Sequence, residues 1–67
     1  MKKFIRLLCM NKETIIATDS ISYIDREDTK LYIKYKHDNL VRSYSFNSSH
    51  EAFMTFNQIW EELEDND

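Results

Sequence analysis

The sequence predicts an α+β domain: a small antiparallel sheet of four to five strands with one C-terminal helix packed on one face. Two observations predict it. Apolar residues alternate with period two until about residue 46, and near residue 50 they change to spacings of three and four. The third bound is size. At 67 residues the chain makes one domain, placed at 1–63, with an acidic C-terminus at 64–67 expected to fray.

The first strand is expected at residues 4–9, with Ile5, Leu7 and Cys9 on one face and Phe4, Arg6 and Leu8 on the other. Asn11-Lys12 is the expected turn, and residues 14–17 return as a β-branched strand. Asp19-Ser20 marks a turn or bulge, because short polar side chains bond to their own backbone. Residues 21–24 resume the sheet, and residues 25–28 read as a charged loop. In residues 31–36, Leu31, Ile33 and Tyr35 alternate with Tyr32, Lys34 and Lys36, the clearest strand of the chain. His37-Asp38-Asn39 closes a hairpin to residues 40–46, whose expected inward pair is Tyr44 and Phe46. The sequence has no glycine or proline, so Asn11, Asp38 and Asn39 are the expected positive-φ residues.

The helix start is written as Ser48 followed by Glu51, a capping-box spacing, with Ser49 as a competing cap. Phe53, Phe56, Ile59, Trp60 and Leu63 form the expected stripe against the sheet. One helix covers one face, so Phe4, Leu8, Tyr32 and Ile24 are the expected apolar patch on the other.

A net charge of −3 conceals a segregation. Residues 1–13 carry a balance of about +3 and residues 26–46 about +2, whereas residues 50–67 carry about −6 with no Lys or Arg. Glu61, Glu62 and Glu64 crowd the helix C-terminus, where the dipole favours cations. Such a block solubilises a chain or offers an acidic surface to a basic partner.

Chemistry-bearing motifs are scarce. Missing glycine removes phosphate-cradling loops, and Cys9, His37 and His50 have no metal-ligand spacing. Cys9 reads as a small hydrophobe within its strand. No catalytic, metal or cofactor residue is therefore assigned, and no cofactor or small-molecule substrate is expected. A single cysteine, no disulfide and no membrane span point to a cytoplasmic protein. The expected role is non-enzymatic: an interaction module that self-associates as a homo-oligomer or binds a protein partner. Glu61, Glu62, Glu64, Tyr32, Lys34 and Phe4 are its candidate contact residues. The alternative is a single-strand nucleic-acid binder using Tyr32, Lys34, Lys36 and Arg42 with Tyr23 or Tyr44, set against an acidic pI of about 5.3.

The order of Phe4-Ile5-Arg6-Leu7, Asn11-Lys12-Glu13, Ile15-Ile16, Asp19-Ser20-Ile21-Ser22-Tyr23-Ile24, residues 29–35 and 41–46, and Ser48-Ser49-His50-Glu51-Ala52 resembles the FlbD-like family. Those are small bacterial proteins linked to flagella and swarming, and similar short open reading frames occur in phages and mobile elements. The resemblance implies an adaptor of β-sheet and C-terminal helix, with no active-site residues to carry over.

Overall fold

Two tight hairpins organise the β structure. In the computed structural model, which describes residues 4–64, β1 (Phe4–Cys9) returns as β2 (Lys12–Ala17) through Met10 and Asn11. A 3-10 turn at Thr18–Ser20, tied by Ser20 Oγ donating to the Ala17 carbonyl at 2.6 Å, leads to β3 (Ile21–Glu27). Asp28 and Thr29 then turn the chain into β4 (Lys30–Tyr35), followed by β5 (Val41–Ser45) and α1 (Ser49–Glu64).

The α+β class holds, with one refinement. The five strands form two antiparallel sheets, β1-β2 and β3-β4-β5, rather than one. They meet through side chains: the Cys9 thiol donates to the Ser45 carbonyl at 3.0 Å, linking the end of β1 to the end of β5. Ile5, Leu7, Cys9 and Ile16 from the first sheet meet Leu31, Ile33 and Phe46 from the second in one core. Tyr44 packs half-buried against it, so Tyr44 and Phe46 do face inward.

Several local expectations are corrected. Residues 25–27 belong to β3, because Asp25, Arg26 and Glu27 pair with Tyr32, Leu31 and Lys30. Positive φ occurs at Met10 (57°) and Asp28 (55°), not at Asn11, Asp38 or Asn39. The β4–β5 connection has no positive-φ residue and is held by Asp38 Oδ1 accepting from the Leu40 N–H at 3.3 Å and by the Lys34 ammonium donating to the Asp38 and Tyr35 carbonyls at 2.6 and 2.9 Å. Ile24 packs against the core instead of lying on a free apolar face.

Helix α1 begins as the sequence indicates. Ser48 Oγ accepts from the Glu51 N–H at 3.2 Å, satisfying one donor of the first turn. Its buried stripe differs from expectation: Ala52 and Ile59 are fully buried, with Phe56 and Leu63 beside them. Phe53 and Trp60 lie on the flank, 45% and 52% exposed. The helix rests on β4 between β1 and β3. The small Ala52 is fully buried at the helix–sheet contact, and the two large aromatics lie off that line. Glu64 is still helical; the fraying expected for 64–67 otherwise falls on residues outside those described.

Candidate interaction surface

The register of β1 determines what its two edges offer. Cys9 and Lys12 flank a two-residue turn, so they exchange backbone hydrogen bonds, as do Leu7 with Thr14 and Ile5 with Ile16. Phe4, Arg6 and Leu8 then direct their N–H and C=O groups away from β2. Among the described residues no other strand pairs with that edge.

The edge opens on a cleft of about 540 Å³ shared with the helix. Phe4, Arg6 and Leu8 form one wall, and Thr55, Gln58 and Glu62 form the other. Buried Ile5 and Ile59 reach its floor, and no β2 residue lines it. A second cleft, of about 310 Å³, continues past Leu8 towards Met10 and Met54. Phe4, Leu8, Met10 and Met54 are each more than half exposed, at 61%, 57%, 65% and 55%. Leu8 and Thr55 line both clefts, so the two adjoin.

Charge on this surface is unevenly held. Arg6 Nε meets Glu13 Oε2 at 3.0 Å, an exposed cross-strand ion pair worth roughly 0–1 kcal/mol. Helix α1 carries no Lys or Arg, and of the helical residues on the cleft wall only Glu62 is charged, with Arg6 lining the same cleft. Opposite that flank, the Arg26 guanidinium lies 5.4 Å from the Phe53 ring centroid and shields part of the aromatic surface.

The six candidate contact residues separate into distinct regions. Phe4 and Glu62 share the β1–α1 cleft, whereas Glu61 and Glu64 are exposed on the helix outside its lining. Tyr32 and Lys34 lie on the outer face of the three-stranded sheet. There the cross-strand rows are Tyr23–Lys34–Val41, Asp25–Tyr32–Ser43 and Glu27–Lys30–Ser45. The expected basic, Tyr-bearing face is corrected accordingly. Arg42 is in register with Ile33 on the opposite face, Tyr44 points inward, and Asp25 and Glu27 sit among the lysines. Sequence reasoning missed Arg6, Thr55 and Gln58 as wall residues, because no periodicity states which strand edge a helix will flank.

Burial pushes the Cys9 thiol above its ordinary value, in keeping with a packing role. Among the described residues there is no cluster of three or more His, Cys, Asp or Glu able to hold a metal, and no helix is long and apolar enough to cross a membrane. No family model, curated protein or solved structure matches the chain.

Proposed function

We propose that this protein is an interaction module without catalytic chemistry of its own, docking on a protein partner or a second copy through the β1–α1 flank. The observation that carries this reading is the row of exposed apolar side chains Phe4, Leu8, Met10 and Met54 beside a β1 edge that no other described strand pairs. A domain of this size buries only about 60% of its unfolded surface, and contiguous exposed apolar groups mark interaction surfaces. An adaptor of this kind is also what the resemblance to the FlbD-like family implies. An accessory chain of a phage or mobile element, inhibiting a larger host protein, is one form of it.

Sedimentation velocity and affinity purification from the native host test the reading together, with Leu8→Lys/Met54→Lys as the comparison. Both positions are exposed, so the double variant should fold. Wild-type protein should sediment above its 8.1 kDa monomer mass or retain a stoichiometric protein, and the variant should lose that association. A monomeric wild type that retains no protein, or an association the variant keeps, overturns the assignment. Steeply salt-dependent binding to a single-stranded oligonucleotide would overturn it in favour of nucleic-acid recognition.

A further inference from the structure

The smaller cleft, beyond Leu8, brings soft donor side chains together from two elements. Its lining holds Met10 from the β1–β2 turn and His50 and Met54 from α1, beside Leu8, Phe46 and Glu51. We propose that Met10, His50 and Met54 form a binding site for Cu(I), held by the two thioether sulfurs and the imidazole. This goes beyond the interaction reading and does not rest on it.

The fold places the three donors around one space of about 310 Å³. His50 and Met54 are four residues apart, so they stand on the same face of α1, about 6 Å apart along its axis. Met10 lines the same cleft from the tip of the β1–β2 hairpin. All three are exposed, so an ion reaches them from solvent. Methionine has three rotatable side-chain bonds, which lets both sulfurs converge on an ion by rotamer change alone.

The backbone at Met10 points the same way. Its φ of 57° occupies a turn position where glycine is preferred, and a side chain 65% exposed gains little from packing there. A thioether sharing a cleft with His50 and Met54 gives that side chain a role that glycine could not fill.

Donor chemistry selects the ion. Thioethers are neutral and soft, which favours Cu(I) over zinc, and one carboxylate, Glu51, is too few oxygen donors for calcium or magnesium. Neutral donors beside apolar Leu8 and Phe46 also suit a singly charged ion better than a strongly hydrated divalent one. Cys9 lies outside the set, buried with its thiol donating to the Ser45 carbonyl.

The test is titration of the full chain with silver nitrate in chloride-free buffer, Ag(I) being a redox-inert probe for Cu(I). Calorimetry should give one equivalent bound, and NMR of protein carrying methyl-labelled methionine should show the Met10 and Met54 signals shift. Met10→Leu, Met54→Leu and His50→Gln should each weaken binding at least about tenfold. Met10→Gly should weaken it as much while melting higher, which separates loss of a donor from loss of fold. Cys9→Ser, whose hydroxyl replaces the donor to the Ser45 carbonyl, should bind as wild type. Cu(I) kept reduced by ascorbate should displace silver, and equimolar zinc should not.

Wild-type affinity in both leucine variants, unshifted Met10 and Met54 signals, displacement of silver by zinc, or no binding at ~100 µM protein overturns the site. Loss of binding in a folded Cys9→Ser overturns it in favour of an adventitious thiol complex. Should Cys9→Ser fail to fold by circular dichroism, the methionine signals of the wild type decide. Leucine keeps both positions apolar, so association through the β1–α1 flank should persist in these variants, and the two readings fail separately.

Discussion

Met10 carries a backbone conformation that its side chain opposes. Its φ of 57° lies in the left-handed region, which costs a non-glycine residue roughly 1–2 kcal/mol. The reason is register. Ile5, Leu7 and Cys9 must face the core, so Cys9 pairs with Lys12 and the turn falls on Met10-Asn11. Only the first central residue has positive φ, the pattern of a II′ turn, where glycine is preferred. Asp28 occupies the same place in the second hairpin, and its short polar side chain tolerates that region better. Met10→Gly should therefore stabilise the domain by about 0.5–1 kcal/mol, after allowing for glycine's greater entropy loss. A thermal melt should show a rise of roughly 2–8 °C. An unchanged or lowered midpoint would mean that Met10 is compensated by packing, which its 65% exposure argues against.

Helix α1 tests how well an element can be read before its partner surface is known. Its start was legible because capping is local chemistry: Ser48 Oγ accepts from the Glu51 N–H within one turn. Ser48→Ala should cost about 1 kcal/mol, read as a lower urea midpoint with unchanged slope, and Ser49→Ala should cost little. Equal losses from the two would assign the cap to the wrong serine. The buried stripe was less legible. Hydrophobicity favoured Phe53 and Trp60, yet contact distance favoured Ala52, and a helix lying close to β4 obeys distance first. The strands show the same division. Alternation exposed the inward faces of β1, β4 and β5, since the pleat alone sets them. It concealed the extension of β3 through Asp25, Arg26 and Glu27, whose charges resemble a loop until β4 lies beside them. The candidate site divided similarly: Phe4 and Glu62 converge, but edge and face assignments for Tyr32, Lys34 and Arg42 required topology.

For the molecule as a whole, the consequence of two sheets is a seam without a backbone ladder. Between β2 and the β4–β5 end lies a cleft of about 360 Å³ where Ile15 and Ala17 approach Tyr35, Tyr44, Asp38 and Arg42. Arg42 sits 6.0 Å from the Tyr35 ring centroid and 3.5 Å from Asp38. Burial in this seam, and then the neighbouring Tyr44 hydroxyl, push the Tyr35 phenol well above its ordinary value of 10.0. A group whose proton is held more tightly in the folded state adds its full share of stability below its unfolded value. That share is lost as pH rises from 10.0 towards the folded value, because the unfolded chain releases the proton first. The protein should consequently lose stability in alkali as the phenol in the seam ionises. Tyr35→Phe should flatten that decline, while Tyr23→Phe, on the exposed outer face, should leave it unchanged. Cys9, also raised by burial, adds a fall of the same sign from 9.0 upward, and its presence in all three proteins cancels it from the comparison. Urea midpoints at pH of about 9 and about 11 provide the measurement. A Tyr35→Phe protein that loses as much stability across that interval as wild type would place the alkaline weakness outside the seam.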